Sequence, residues 1–181
     1  DLSLGIRCWK GAKIESEGAV TVPARQFKDL IATLPKATVS LRQDGTKLRG
    51  ECAGTTFDLP TMAAEDFPRW ADCLGGPSFQ IPAPVLCHAL ERVAPFAATD
   101  DSRPVLTGLQ CQFTGDEAIF AACDGFRLAE FRTEFISEPV SFLLPRRAAL
   151  QLRELLGDST EWVEVHVAEN GRAGQFELTD T

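Results

Sequence analysis

One pattern occurs three times along this chain and limits what it can fold into. Each copy has a short β-prone stretch, then a proline, then apolar residues spaced three and four apart. A proline suits a helix entrance, because the N–H that it lacks would have no partner there. The spacing behind each proline predicts an amphipathic helix of about three turns. The three entrance prolines are Pro23, Pro82 and Pro145.

Each predicted helix is followed by segments with strand character. Asp44-Gly45 and Asn170-Gly171 lie between alternating runs, which is a strong hairpin signal. After the second helix we predict a strand over residues 105–113 and another over residues 118–123. The fold class that follows is α+β, with repeated β-α-β-β-β units and helices on one face of antiparallel sheets. Residues 66–77 have the composition of a linker, so we place a domain boundary there.

Composition narrows the functional classes. The six cysteines include no C-x-x-C pair and there are two histidines, which predicts no metal site and no cofactor. Scattered thiols without a signal peptide favour a reducing cytoplasm, and no run is long enough to span a bilayer. Adjacent carboxylates at Asp100-Asp101 and Glu65-Asp66 have no histidine in the same motif. We therefore expect no catalytic site, and a metal-dependent nuclease is the enzymatic alternative.

The charge is unevenly distributed along the chain. The net charge is −8, yet the predicted helices with their flanks sum to about +4. If these helices share one side of the sheets, they form a basic face that can meet phosphates without reading sequence. The alternative is that they are ordinary solvated helix faces. The candidate DNA-facing residues are Arg25, Lys28, Arg146, Arg147 and Arg153.

Five short segments, in order, resemble the bacterial DNA polymerase III beta subunit, the sliding-clamp family. They are VTVPA at residues 20–24, LPTMAAEDFP at 59–68, RPVLTG at 103–108, ACDGFRLA at 122–129 and LPR at 144–146. The resemblance covers essentially the whole chain and implies the DNA clamp fold. It assigns residues 1–73 to the C-terminal part of clamp domain one and residues 77–181 to clamp domain two. We expect no third clamp domain.

The resemblance also implies a function. Family members are non-catalytic processivity factors whose helices line the hole of a head-to-tail ring around double-stranded DNA. A cleft in these proteins docks peptides of the DNA polymerase III catalytic subunit and the clamp loader. Carried over by motif, the half of that cleft expected here consists of Leu106, Cys123, Gly125, Phe126, Arg127 and Leu128. From the residues alone, Leu106 and Leu128 could instead be core, and Asp124-Gly125 only a turn.

Three departures from the family pattern affect these expectations. Phe126 stands where the family usually has His, and Cys123 where it has Thr, so the cleft should be more apolar. Basic residues near the subunit interface are replaced, which makes the homo-oligomeric ring doubtful; these positions are Gly54, Thr55 and Thr56. The other half of the cleft comes from the family's third domain, so we expect weak peptide binding. The alternative function is a non-encircling protein-interaction module derived from a clamp.

Overall fold

A computed structural model describes residues 4–69, 73, 75–171 and 173–178. The chain divides into two compact units, Asp1–Trp70 and Ala71–Thr181, and each is described by itself. The predicted linker at residues 66–77 lies partly outside the described residues, because 70–72 and 74 are not among them. No helix in the described ranges is long and apolar enough to cross a bilayer.

In its described residues, the first unit contains one α-helix, a short 3-10 helix at Ala64–Asp66 and one antiparallel sheet. Helix α1 (Ala24–Thr33) starts directly after Pro23, as the repeat predicted. Three strands follow, in the order β1-β2-β3 across the sheet. Their bounds are Val39–Asp44 for β1, Lys47–Cys52 for β2 and Thr55–Pro60 for β3. Residues 20–22 form no strand and contribute only an isolated bridge between Thr21 and Met62.

The core of the first unit is small. Its buried apolar side chains in the described residues are Leu48, Cys52 and Leu59, all in β2 and β3, whereas α1 buries none. The ring of Phe57 lies across Gly50 on the neighbouring strand, and a Cβ there would be 2.0 Å from Phe57 Cζ. Gly50 is therefore required by the close approach of this ring.

The second unit contains two copies of the repeat. The first copy is β4 (Ser78–Pro82), α2 (Ala83–Val93) and three strands; the second is β8 (Val140–Pro145), α3 (Arg146–Leu156) and two strands. Pro82 and Pro145 directly precede their helices, as predicted. The remaining strands are β5 (Gly108–Phe113), β6 (Glu117–Cys123), β7 (Leu128–Glu134), β9 (Trp162–Val167) and β10 (Gly174–Glu177).

The two copies of the second unit exchange their first strands. Strand β4 pairs with β9 of the other copy, and β8 pairs with β5, which gives the sheets β10-β9-β4 and β7-β6-β5-β8. Helices α2 and α3 contact each other, and both contact the four-stranded sheet. The predicted α+β class, with repeated units and helices on one face of antiparallel sheets, is confirmed.

The core of the second unit lies between the helices and the sheets. Each helix buries the apolar stripe that its spacing predicted, with Leu90 at 1% and Ala149 at 0% exposure. At the other side of the core, Phe113 contacts four aromatic rings with centroids 4.3–6.3 Å away. These rings belong to Phe79, Phe120, Phe135 and Phe142.

One predicted strand is too long. The strand expected over residues 105–113 begins only at Gly108, because Pro104–Thr107 forms a short 3-10 helix. Pro104 has no N–H to donate and a fixed φ, which suits the first turn of a helix and not a strand ladder. The hydroxyl of Thr107 donates to the carbonyl of Pro104 at 2.8 Å and closes the turn. Leu106 therefore lies in a helical turn before β5 and not within the strand.

Candidate functional site

The centre of the predicted cleft is the turn between β6 and β7. The carboxylate of Asp124 accepts hydrogen bonds from the backbone N–H groups of Phe126 and Arg127, each at 3.0 Å. Its other oxygen accepts from Nε of Arg127 at 2.8 Å. An aspartate that binds the backbone two residues on is the usual organiser of such turns. Asp124 therefore organises the turn over residues 124–127.

These hydrogen bonds also favour the ionised form of Asp124. The side chain of Arg127, followed by the two backbone N–H groups, lowers the pKa of Asp124 from an ordinary 3.8 to about 2. Hydrogen bonds to a carboxylate stabilise its charged state, which is the direction observed. Asp124 is therefore ionised, and can accept these hydrogen bonds, throughout the physiological pH range.

Arg127 ties this turn to the segment after α2. Its Nη2 donates to the carbonyl of Pro95 at 3.3 Å. Its guanidinium carbon lies 5.1 Å from the ring centroid of Phe96, within the range of a cation–π contact. The sequence indicated Arg127 as a cleft residue, but it did not identify these internal partners. An apolar Pro-Phe pair at a helix end carries no signal for such a role.

The same turn approaches the segment that holds Leu106. Gly125 has φ +94°, and a Cβ there would lie 3.3 Å from Nη1 of Arg103. The carbonyl of Arg103 accepts from the N–H of Leu106 at 2.9 Å, and the carbonyl of Leu106 accepts from Ala98 at 2.8 Å. The structure thus links the turn, the residues after α2 and the 3-10 helix of Leu106 into one region of the second unit.

The apolar residues of this region are strongly exposed. Phe126 is fully exposed, at 100%, and Leu128 is 65% exposed, so Leu128 is not a core residue. Leu106 is half-buried, and Val105 beside it is 74% exposed. Cys123 is half-buried and pairs with Leu128 across the strands. The five predicted cleft residues at 123 and 125–128 therefore lie in one hydrogen-bonded turn. Val105, next to Leu106 in the sequence, is an exposed apolar residue that the sequence did not single out.

The five predicted DNA-facing residues lie on α1 and α3. Arg25 and Lys28 are exposed on α1, where Nε of Arg25 lies 3.9 Å from Asp29. Arg146 and Arg153 are seven residues apart and so lie on the same side of α3, whereas Arg147 lies about 100° further round. Nη2 of Arg153 lies 3.5 Å from Glu91 of α2. Since α1 and α3 belong to different units, a shared basic face stays a prediction.

Comparison with known families follows the same division of the chain. The family model described as DNA polymerase III beta subunit, central domain, matches residues 80–179, and that of the N-terminal domain matches residues 1–71. The chain belongs to the DNA polymerase III beta subunit family. The strand exchange of the second unit therefore occurs in a beta subunit central domain.

Individual relatives support the same family assignment. The beta sliding clamp of Micrococcus luteus is 31% identical over 150 residues, which cover 81% of this chain and 48% of the relative. That of Streptomyces coelicolor is 32% identical over 139 residues, covering 77% of this chain and 36% of the relative. The chain thus spans less than half of the length of these relatives.

Solved beta subunits share the fold. The DNA polymerase III beta subunit of Thermotoga maritima superposes with a TM-score of 0.82 at 27% identity, over 93% of this chain and 46% of that chain. A Pseudomonas aeruginosa sliding clamp bound to griselimycin gives a TM-score of 0.78 at 28% identity, over 86% of this chain and 44% of that chain. The DNA clamp fold that the resemblance implied is therefore confirmed.

Proposed function

We propose that this chain is part of a DNA sliding clamp, a processivity factor that tethers a replicative DNA polymerase to DNA and docks partner peptides. Residues 1–73 would form the C-terminal part of clamp domain one, and residues 77–181 clamp domain two. Membership of the beta subunit family supports this proposal. So do the names of the relatives, which are sliding clamps. We propose a non-catalytic, cytoplasmic role.

The observation that carries the peptide-docking role is the turn at residues 123–128. Asp124 and Arg127 fix its backbone, while Phe126 and Leu128 remain exposed. A rigid scaffold that presents apolar side chains loses little entropy on binding, which favours short peptides. Partners would be the DNA polymerase III catalytic subunit and the clamp loader, through their clamp-binding peptides. The fully exposed Phe126 in place of the family's His would favour peptides with an apolar residue there.

The proposed contact with double-stranded DNA involves α1 and α3. Both helices carry arginine or lysine on exposed surface in a chain whose net charge is −8. Side chains of this kind bind phosphates irrespective of base sequence, and the binding weakens as salt rises. In a homo-oligomeric ring these helices would face the duplex.

A titration followed by NMR tests the proposal. We expect a peptide with a clamp-binding motif to shift the amide resonances of Leu106 and residues 123–128, with weak affinity. Leu128→Asp should abolish these shifts, because it places a charge among the apolar contacts. Leu155→Asp is the matched control, since Leu155 is 53% exposed on α3 and outside the turn.

Two outcomes would contradict the proposal. If the shifts persist in Leu128→Asp, or are lost equally in Leu155→Asp, the turn is not the docking site. A short DNA duplex added to the same labelled sample at low salt should shift α1 and α3, less so in Arg147→Glu than in Arg42→Glu, a control on β1. If the chain is a monomer that binds the peptide but shows no shifts with the DNA duplex, the result would support the non-encircling interaction module instead.

A further inference from the structure

Three potential metal ligands meet on the β9–β10 hairpin, away from the turn at residues 123–128. The alternation of β9 places Glu164 and His166 on the same face of the strand, while Val163 and Val165 are buried. Strand register then sets Glu177 of β10 directly opposite Glu164. The alternation along β9 places Glu164 and His166 on one face, whereas their meeting with Glu177 depends on the hairpin register.

The distances within this group fit a small cation. Nε2 of His166 lies 3.4 Å from Oε1 of Glu164 and 3.8 Å from Oε1 of Glu177. One ligand atom from each of the three residues lies within 4.8 Å of the others. Ligands bonded to a tetrahedral Zn²⁺ at about 2.0–2.1 Å are separated by about 3.3–3.4 Å from one another. A small closing movement of Glu177 would therefore complete three zinc bonds.

The charges around this group favour a cation. Two carboxylates directly opposite each other on neighbouring strands repel. The other residues paired with Glu164 and His166 are neutral: Gln80, Ser78 and Gln175. On the four-stranded sheet, by contrast, Arg132 neutralises Glu117 and Glu130 at 3.3 and 2.7 Å. In the part of the chain that the structure describes, the basic group beside these carboxylates is the imidazole of His166, at 3.4 Å from Glu164 and 3.8 Å from Glu177.

We propose that Glu164, His166 and Glu177 form a binding site for Zn²⁺ or a similar divalent transition-metal ion. One imidazole nitrogen and two carboxylate oxygens suit such ions better than Mg²⁺, which prefers oxygen ligands and retains water. Water would occupy the remaining coordination positions. Gln175 orients Glu177, because its Nε2 donates to Oε1 of Glu177 at 2.6 Å. The bound ion would join the four-residue edge strand β10 to β9.

Calorimetric titration of the 181-residue chain with zinc chloride tests this site. We expect roughly equimolar binding in the micromolar range, weakened at least about 10-fold by His166→Gln, because a ligand is lost. His88→Gln is the matched control: it removes the other histidine of the chain, which lies in α2, and should leave zinc binding unchanged. Glu177→Gln should also weaken zinc binding, as His166→Gln does.

Two further measurements identify the ligands. Cobalt substituted for zinc should give no thiolate charge-transfer band, because the site contains no sulfur. In a separate measurement, zinc should slow hydrogen exchange at β10 in the wild type but not in His166→Gln. A thiolate band, or zinc affinity equal in wild type and His166→Gln, would overturn the proposal and assign the metal to cysteines such as the exposed Cys8. A wild-type chain that binds no zinc would overturn the proposal as well, and would show that the three side chains lie close together without forming a metal site.

Discussion

The two units contain the same repeat but bury it differently. In the first unit, the described residues contain one α-helix, α1, and one three-stranded sheet, and none of the ten residues of α1 is buried. In the second unit, α2 and α3 contact each other and bury five and four residues. The sequence pattern is similar, since α1 and α3 have apolar residues at the same spacing. The difference lies in the number of copies that pack together.

This contrast shows what one copy of the repeat lacks. A helix stripe is stabilised by the apolar area that it removes from water, about 25 cal/mol for each Å². Phe27 and Leu30 of α1 remain half-buried, and the described residues of the first unit contain no second α-helix that could cover them. In the second unit the exchanged strands β4 and β8 connect the copies, so each helix is covered by a sheet and by the other helix. We infer that the second unit is the more stable one.

Hydrogen exchange on the whole chain should give the largest difference between the units. We expect amides of β6 to exchange at least about 100-fold more slowly than those of β2, because the free energy of local opening is higher where more apolar contacts are buried. Both strands are central in their sheets, so hydrogen bonding within the sheet is matched. Measurement by NMR or by mass spectrometry resolves each strand. Equal protection of β2 and β6 would contradict the inferred order of stability.

A pair of leucine truncations should sharpen this difference. Leu90 of α2 is 1% exposed, so Leu90→Ala should lower the unfolding free energy of the second unit by about 2–5 kcal/mol. Leu30 of α1 is only half-buried, so Leu30→Ala should cost the first unit less than about 1 kcal/mol. The change in exchange free energy of β6 amides measures the first effect, and that of β2 amides the second. A larger cost for Leu30→Ala would show that α1 contributes a core that its exposure does not reveal.

The repeat allowed most of the fold to be predicted. Proline position and apolar spacing located the three α-helices in the described residues, and the Asp44-Gly45 and Asn170-Gly171 turns located two hairpins. The exchange of β4 and β8 could not be predicted, because pairing between distant strands depends on tertiary packing and not on local pattern. The predicted start of β5 lay before Gly108 and was too early, since the helical turn at Pro104 interrupts the apolar run.

The candidate sites were less predictable than the fold. Asp124-Gly125 signalled a turn from sequence, but the contact of Arg127 with Phe96 joins residues about 30 positions apart. The group of Glu164, His166 and Glu177 likewise required the register of β9 and β10. Such groups depend on which residues face one another, and spacing along one segment cannot give that.

The smallest expected difference concerns two aspartates, one in each unit. Asp58 of β3 accepts from Nε of Arg49 at 3.0 Å, and this hydrogen bond lowers the pKa of Asp58 below 3.8. Asp124 accepts from Arg127 and from two backbone N–H groups, which lowers its pKa to about 2. A carboxyl whose pKa is lower in the folded state adds stability above the unfolded pKa of 3.8, and that stability is lost as pH falls through the folded pKa. NMR titration of both carboxyl groups should therefore show Asp124 protonating near pH 2, and the turn at residues 123–128 loosening over the same range.

Arg127→Gln should raise the Asp124 midpoint only part of the way to 3.8, because the backbone donors remain, and should leave Asp58 unchanged. Arg49→Gln is the matched control and should raise the Asp58 midpoint alone. If Arg127→Gln left the Asp124 midpoint near 2, the backbone N–H groups alone would hold the turn, and the guanidinium would serve only to connect it to Pro95 and Phe96.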